Sequence, residues 1–294
     1  MKLAPIAYLR PRTEEELLAA LARHGSRAAI LAGGQSLIPE LALRQRAPQV
    51  LVDINRLEGA GGVRYVQGDD GPELRIGALT RHDDVQTDHA LRTHAPMLAL
   101  AAAHIGNAAV RNRGTVCGSL AQADPAAEFP LAAVALNARI VLRSARGARV
   151  VAADDFFTGA NATVRQPDEY VAEVRIACAQ PRDYGFFDEV ARRPTAPAIV
   201  GVALSVRPRP GEAPDVRLAI GGVSDRPQLL ERTSLALARD PRDAAALRAL
   251  LHAELAPLAQ HQHPGAAYRL HLAAVLLERA RAGWCRHLDE RLKT

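Results

Sequence analysis

Residues 30–38 read ILAGGQSLI, where two adjacent glycines, a glutamine and a serine follow a short apolar run. The run at 27–31 predicts a strand, and the apolar residues at 38–43 predict a short helix. A strand that leads through glycines into a helix leaves backbone N–H groups free beside a positive helix terminus, which favours an anion. The stretch matches neither GxGxxG nor GxxxxGKS/T, so alone it fits either a plain turn or a phosphate cradle.

The segments around this stretch alternate between strand and helix. Residues 13–25, TEEELLAALARHG, predict a helix that Thr13 caps, with Glu16 three positions on to complete a capping box and Gly25 at the far end. Residues 50–54, VLVDI, predict the next strand. The short apolar stretch at 6–10, which ends at Pro11, predicts the first strand. The order strand, helix, strand, helix, strand is that of an α/β unit.

A second glycine stretch covers residues 104–130, HIGNAAVRNRGTVCGSLAQADPAAEFP. Small residues and open backbone between Gly114 and Gly118 suit a diphosphate or a sugar. The carboxylate of Asp124 suits sugar hydroxyls, although a helix cap ahead of Pro125 explains it equally well. Arg111 and Arg113 fit a solvated surface. Two such stretches in one chain favour a nucleotide site over two unrelated turns.

Apolar runs elsewhere predict strands at 74–80, 168–177, 198–206 and 216–224, helices at 95–106 and 268–284, and a helix passing into a strand over 129–144. The polar residues 179–185, AQPRDYG, predict a boundary between domains. Two strands follow that boundary and suggest a hairpin-rich sheet. From Ser234 onward the sequence is rich in alanine and leucine and predicts helices.

Composition narrows the class of protein. Apolar residues make up 48% and charged residues 23% of the 294 residues, which is the composition of a globular protein. No apolar run reaches 18 residues, and the first residues lack an apolar segment of signal-peptide length, so we expect a cytoplasmic protein. Cys117, Cys178 and Cys285 lie far apart without a CxxC motif, and the histidines of HQHP (261–264) have no matching partners. We therefore predict no metal site.

The charge pattern argues against a nucleic-acid-binding protein, and the residue chemistry argues against a hydrolase or an acyltransferase. The net charge is +5, and only two of the 37 basic residues are lysines, but the arginines alternate with acidic residues. Aromatic residues are only 4%, so no stacking platform for nucleic acid is visible. No carboxylate pair or nucleophile–base pair stands out either, so we nominate no catalytic side chain.

The sequence resembles the medium, FAD-binding subunits of the molybdenum hydroxylases, which include carbon monoxide dehydrogenase, xanthine dehydrogenases and dehydrogenases of N-heteroaromatic and aromatic acyl-CoA compounds. The resemblance covers nearly the whole chain. It is carried by eight motifs in order: AGGQSLIPELALR (32–44), VLVDINRL (50–57), IGALTRHDDV (76–85), VRNRGTVCGSLAQADPAAEFPLA (110–132), FFTG (156–159), FDEVARR (187–193), AIGGVSDRP (219–227) and YRLHLAAVLLERA (268–280).

The resemblance implies an α+β protein of three parts. Residues 1–57 and 58–178 would be two α/β subdomains of an FAD-binding region of the PCMH or vanillyl-alcohol-oxidase type. Residues 179–294 would be a C-terminal α+β domain with an antiparallel sheet and helices.

The resemblance also implies roles for individual residues. The first stretch would wrap the FAD pyrophosphate with Leu31, Ala32, Gly33, Gly34, Gln35, Ser36 and Leu37. A second wall would consist of Thr115, Val116, Cys117, Gly118 and Ser119, and Asp124 would hold hydroxyl groups. Ile105 would meet the isoalloxazine ring, and the segment around Arg193 would lie near its other side.

Three departures from the family pattern concern the site. Cys117 stands where a glycine is usual, and Gln122 stands where histidine is common. Residues 195–197 (Thr, Ala, Pro) stand where the family often has Gly-Asp and an aromatic residue. The last departure bears on the final electron acceptor more than on FAD, because that stretch shapes the exposed side of the flavin.

The resemblance implies an electron-transfer subunit. A large partner would carry the molybdopterin cofactor, a small partner would carry 2Fe–2S clusters, and FAD in this chain would pass electrons to an external acceptor. The assembly would be a heterotrimer or a dimer of heterotrimers, without nucleic acid or a membrane span. Two alternatives remain open at this point: a self-contained flavin oxidoreductase, and a flavin-free scaffold subunit.

Overall fold

A three-stranded parallel sheet carries the first glycine stretch. The structure, a computed structural model, describes residues 4–259 and 265–291, so the HQHP histidines lie outside the described residues. The strands lie in the order β1-β3-β2. The elements are β1 (Ala7–Leu9), α1 (Glu14–His24), β2 (Ala28–Leu31), α2 (Leu37–Ala42) and β3 (Val50–Asp53). Because the strands are parallel, the loop after β2 and the loop after β3 open at the same edge of the sheet.

The first helix has the predicted ends. The hydroxyl of Thr13 accepts a hydrogen bond from the N–H of Glu16 at 3.3 Å, and Gly25 ends α1 with a φ of +50°. The capping box is only half formed, because the carboxylate of Glu16 accepts from the N–H of Arg12 instead. The carboxylate of Glu14, in the first turn of α1, accepts hydrogen bonds from the hydroxyl of Tyr170 and from Nη1 of Arg143, the latter at 2.9 Å. These bonds connect the first unit to the next sheet.

An antiparallel sheet of five strands forms the second unit, in the order β4-β5-β10-β6-β7. Its strands, with a small hairpin of β8 and β9, are β4 (Val63–Gly68), β5 (Gly71–Gly77), β6 (Arg139–Ser144), β7 (Gly147–Ala152), β8 (Phe157–Gly159), β9 (Ala162–Thr163) and β10 (Tyr170–Ala177). Its helices are α3 (His82–Thr87), α4 (His89–His94), α5 (Pro96–His104), α6 (Ala108–Arg111), α7 (Val116–Gln122), α8 (Glu128–Ala135) and α9 (Ala153–Phe156).

The third unit is an antiparallel sheet of four strands covered by three helices. The strands are β11 (Tyr184–Ala191), β12 (Ala198–Arg207), β13 (Asp215–Gly221) and β14 (Gln228–Leu229), and the helices are α10 (Glu231–Arg239), α11 (Ala244–Ala259) and α12 (Ala266–Arg291). No helix in the described part of the chain is long and apolar enough to cross a membrane.

Strand β12 has a small face and a large face, and this alternation joins the two later units. Val200, Val202 and Leu204 are fully buried among the apolar residues of α10–α12. Ala203 belongs to the core that contains α5 and α8. A Cβ on Gly201 would lie 2.9 Å from a methyl group of Leu131 in α8, so α8 packs closely against this face.

The expected α+β class, with a C-terminal domain of an antiparallel sheet and helices, is confirmed. The sheet of the second unit is antiparallel as well. The division into the three domains 1–57, 58–178 and 179–294 stays a prediction. The predicted strand at 74–80 is shifted, since β5 ends at Gly77, and the predicted boundary at 179–185 runs into β11. The edge strands β4 and β7 escape sequence analysis because their largely exposed residues leave little apolar pattern.

Candidate functional site

The two glycine stretches touch along their backbones at Gly33. A Cβ on Gly33 would lie 2.4 Å from the carbonyl oxygen of Arg113 and 2.7 Å from the Cα of Gly114. Side-chain carbons do not approach other heavy atoms that closely, so only glycine allows this contact. The parallel unit and the antiparallel unit therefore meet at the loops that the sequence singled out.

The loop between β2 and α2 presents unpaired N–H groups. No described residue accepts a hydrogen bond from the backbone N–H of Gly33, Gly34, Gln35 or Ser36. The carbonyls of Gly34 and Ser36 accept from Ile38 and Glu40 of α2, so the first helical turn is already formed. Gly34 has a φ of +74°, which side-chain-bearing residues rarely adopt. Free N–H groups at a glycine-rich turn are suited to a phosphate group.

Arg81 and Asn55 connect the two loops. Arg81 donates from Nη2 to the Oδ1 of Asn55 at 2.8 Å and from Nη1 to the carbonyl of Arg113 at 2.5 Å. Asn55 donates in turn to the carbonyl of Ala32 at 2.8 Å. Burial, and then the charge of Arg113, lower the pKa of Arg81, which nevertheless stays charged at neutral pH. Sequence analysis missed both residues, although each lies in a motif of the family.

Thr115 and His82 hold the loop of the second glycine stretch, around Gly114 and Gly118, in place. The hydroxyl of Thr115 accepts from the N–H of Gly118 at 3.1 Å and so caps α7. The imidazole of His82 lies against Gly114, where a Cβ would be 2.5 Å from its Cε1. Burial lowers the pKa of His82 to about 4, so the imidazole is neutral at physiological pH. The loop thus rests on an uncharged ring.

The second-wall residues divide between core and loop surface. Val116 and Cys117 are buried, while Gly118 and Ser119 are partly exposed. No described residue accepts from the N–H of Thr115 or of Cys117. The free N–H groups of this wall therefore complement those of the first loop.

The thiol of Cys117 points into the core, 3.7 Å from the carbonyl of Ile76 on β5. The sequence analysis placed this residue against the cofactor, and the structure turns its sulfur toward the sheet. Burial, followed by the charge of Glu173, raises the pKa of the Cys117 thiol far above its usual range. A thiol in that environment is unreactive.

We expect Cys117→Ala to keep FAD, because the thiol of Cys117 faces the carbonyl of Ile76 in the core. The cost in unfolding free energy should be about 1 kcal/mol, as for the loss of one small buried group. In the native wild-type chain, iodoacetamide at pH 8 should leave Cys117 unmodified, and in denaturant all three cysteines should react. Mass spectrometry and flavin absorbance check both expectations. Rapid alkylation of native Cys117 would contradict them.

Asp124 and Gln122 lie where α7 ends. Asp124 is exposed, and its Oδ1 accepts from the N–H of Ala126 at 2.9 Å, which leaves the other carboxylate oxygen free. Gln122, in place of the common histidine, donates to the carboxylate of Glu40 in α2 at 2.7 Å. The substitution therefore keeps a bond between the two glycine-containing units.

Ile105 follows α5 in the second unit, and Arg193 follows β11 in the third unit. Ile105 ends α5 and is 6% exposed, and its carbonyl accepts from Arg111 Nη1 at 3.0 Å. Arg111 is therefore folded back onto this turn and is not the solvated surface residue that the sequence suggests. Arg193 is exposed in the turn between β11 and β12. In the described ranges, no hydrogen bond or ion pair joins its side chain to either glycine loop.

The geometry fits a dinucleotide with a pyrophosphate. Two glycine loops in contact offer free N–H groups, a free carboxylate oxygen and a buried apolar residue, which are the groups that a diphosphate, sugar hydroxyls and an aromatic ring require. Among residues 4–259 and 265–291, no cluster of three or more His, Cys, Asp or Glu is arranged to hold a metal.

Comparison with known proteins supports the same conclusion. Residues 4–177 match the FAD binding domain in molybdopterin dehydrogenase, and residues 185–282 match the CO dehydrogenase flavoprotein C-terminal domain. The carbon monoxide dehydrogenase medium chain of Hydrogenophaga pseudoflava is 32% identical over 288 residues, 95% of this chain and 97% of that one. The nicotine 6-hydroxylase medium subunit of Paenarthrobacter nicotinovorans is 36% identical over 222 residues, 76% of each chain.

A solved structure of carbon monoxide dehydrogenase from Hydrogenophaga pseudoflava has the same fold. The TM-score is 0.89 at 31% identity, over 97% of this chain and 99% of that chain. Fold and glycine loops together define an FAD-binding oxidoreductase subunit. The chain belongs to the FAD-binding medium subunits of the molybdenum hydroxylases, so the resemblance seen in the sequence and the FAD cofactor are confirmed.

Proposed function

We propose that this chain carries electrons through FAD from the 2Fe–2S clusters of a small partner subunit to an external acceptor. A large partner subunit with a molybdopterin cofactor would oxidise the substrate. The observation that carries the proposal is the backbone contact of Gly33 with residues 113–114, which assembles one nucleotide site from two loops. Relatives named as medium chains and FAD subunits of dehydrogenases support this assignment of electron transfer and substrate oxidation to different subunits.

The FAD pyrophosphate would lie over the free N–H groups of Gly33–Ser36, with Leu31, Ala32 and Leu37 holding the loop. The residues Thr115, Val116, Cys117, Gly118 and Ser119 would form the facing wall, and Asp124 would bind hydroxyl groups. Ile105 would contact the isoalloxazine ring, with the turn around Arg193 at its other side. When bound, FAD supplies the electron-carrying chemistry, and this chain's residues hold and orient it. The units 1–57, 58–178 and 179–294 would be the two FAD-binding subdomains and the C-terminal domain.

We propose a heterotrimer or a dimer of heterotrimers as the working assembly. Two observations support a cytoplasmic complex of this kind. The three cysteines are free and buried, as is usual for proteins of a reducing compartment. Relatives over nearly the full chain length are named as subunits of larger enzymes.

A test with the isolated chain separates electron transfer from substrate chemistry. The purified chain should show flavin absorbance near about 450 nm, and dithionite should bleach it. No organic substrate should be oxidised at a measurable rate, because the proposal assigns substrate oxidation to the molybdopterin cofactor of the large partner subunit. Affinity purification from cells should recover a large molybdenum-containing and a small iron–sulfur subunit. Substrate turnover by the isolated chain would contradict the proposal and favour a self-contained flavin oxidoreductase.

A further inference from the structure

A group of titratable side chains lies between the second and third units, apart from the glycine loops. Glu189 of β11 has a side chain that is 5% exposed, and its Oε1 lies 3.8 Å from Nδ1 of His104 at the end of α5. Its Oε2 is buried and has no hydrogen-bond partner among the described residues. Glu128, the first residue of α8, is close enough for its charge to act on Glu189.

Within residues 4–259 and 265–291, no arginine or lysine forms an ion pair with Glu128 or Glu189. The neighbouring Asp188 is paired with Arg279 of α12 at 2.8 Å, so that arginine is already occupied. Asp124, which precedes α8, adds a further negative charge near Glu128. From α5 the only ionisable group facing the pair is His104, whose ring lies 5.4 Å from the ring of Phe187. From β12 the residue opposite Glu189 is Gly201, which has no side chain.

Burial without a counter-charge favours the protonated forms. Burial, and then the charges of Glu128 and Asp188, raise the pKa of Glu189 to about 8. Burial, and then the charge of Asp124, raise the pKa of Glu128 to about 7. Because the two groups interact, their protons belong to the pair and not to either residue. At neutral pH the pair therefore holds protons that two solvent-exposed glutamates would have lost.

The pair lies beside the proposed position of the flavin ring. His104 immediately precedes Ile105, and β11 runs from Glu189 directly into the turn that holds Arg193. Both Ile105 and Arg193 are residues that we propose to flank the ring. The side chain of His104 is 33% exposed and so connects the buried Glu189 to solvent, while Glu128 is itself partly exposed.

We propose that Glu128 and Glu189 form a proton-holding pair, coupled to the redox state of FAD, which exchanges its proton with solvent through His104. This inference rests on the proposed function, since it requires FAD between Ile105 and the Arg193 turn. The electrons come from the one-electron iron–sulfur donors, and no bond of the chain is made or broken. The pair binds one proton from water when negative charge arrives nearby and releases that proton when the charge leaves.

The midpoint potential of bound FAD, measured between pH 5.5 and 9.5 by spectroelectrochemistry, tests the coupling. If one additional proton is taken up per two electrons, the midpoint potential of FAD falls more steeply with pH, by up to about 30 mV per pH unit. This value follows because a tenfold change in an equilibrium constant is 29.6 mV for two electrons. We expect the wild type to show this steeper segment above about pH 7, where the pair is no longer fully protonated while FAD is oxidised. The double variant Glu128→Gln/Glu189→Gln should lose it.

Two controls keep the outcome unambiguous. Glu212→Gln, at an exposed carboxyl group in the loop after β12, should leave the slope unchanged. Equal slopes in wild type and double variant, with flavin bound to both, would overturn the coupling alone. A wild-type chain without flavin absorbance would overturn the proposed function together with the coupling, and it is recognised before any potential is measured.

The flavin-free chain gives an independent measurement. The folded pair binds more protons than the unfolded pair between pH 4.5 and about 8, so the free energy of unfolding should fall as the pH rises through this window. The double glutamine variant should be less sensitive to pH over the same range. An unchanged pH dependence would show that the pair holds no extra proton, and it would overturn the proposal without reference to FAD.

Discussion

Replacing Gly33 with valine is expected to abolish FAD binding. The Cβ of a side chain there would lie 2.4 Å from the carbonyl oxygen of Arg113, and the opposing atoms are backbone, which cannot rotate away. The two loops must separate, and the free N–H groups of one no longer align with those of the other. The affinity for FAD should fall by at least about 100-fold, or about 2.8 kcal/mol, as measured by flavin titration of the apo chain.

Gly61→Ala is the matched control. A Cβ on Gly61 would be 3.7 Å from Leu79, which is an ordinary contact, so FAD affinity and melting temperature should stay near the wild-type values. Circular dichroism should show that Gly33→Val keeps its secondary structure. Full flavin occupancy in folded Gly33→Val would mean that FAD does not bind across this contact.

Replacing Arg81 with methionine is the second large effect that we expect. The change removes the hydrogen bonds from Arg81 to Asn55 and to the carbonyl of Arg113, which hold the second loop against the first. A hydrogen bond to a charged group contributes about 1.5–3 kcal/mol, so the affinity for FAD should fall at least about tenfold. Methionine preserves most of the apolar length of the side chain, which limits the loss of packing.

Arg64→Met provides the comparison. Arg64 forms an ion pair with Glu173 at 2.7 Å, but its side chain is 71% exposed and Arg175 also bonds Glu173. Such a surface pair contributes about 0–1 kcal/mol, so FAD affinity should be unchanged. Flavin titration and thermal unfolding of both variants, side by side, separate loop positioning from the general loss of one arginine. Equal FAD affinity in the two variants would show that Arg81 does not position the loops.

Cys117 and Gln122 depart from the family pattern, and each departure has its own structural explanation. Cys117, where a glycine is usual, is accommodated because its thiol faces Ile76 in the core. Gln122, where histidine is common, keeps a polar contact with Glu40. Neither change removes a free N–H group from the loops.

The sequence by itself determined the local elements and the composition of the site. Helix α1 begins after Thr13 and ends at Gly25 as predicted, because capping depends only on residues within one helical turn. Runs of apolar residues located the buried strands β3, β10 and β12, because this signal is also local in the sequence. The glycines of both loops were recognisable because their function requires the absence of a side chain.

Only the tertiary structure decided which remote residues meet. The contact of Gly33 with Gly114, the bond from Arg81 to Asn55 and the inward turn of Cys117 all depend on how the parallel unit docks on the antiparallel one. The effect of the Glu128 charge on Glu189 likewise requires the fold to bring the start of α8 near β11. Sequence patterns report the neighbours of a residue along the chain, whereas burial, hydrogen bonding and charge at this site arise between segments that folding alone brings into contact.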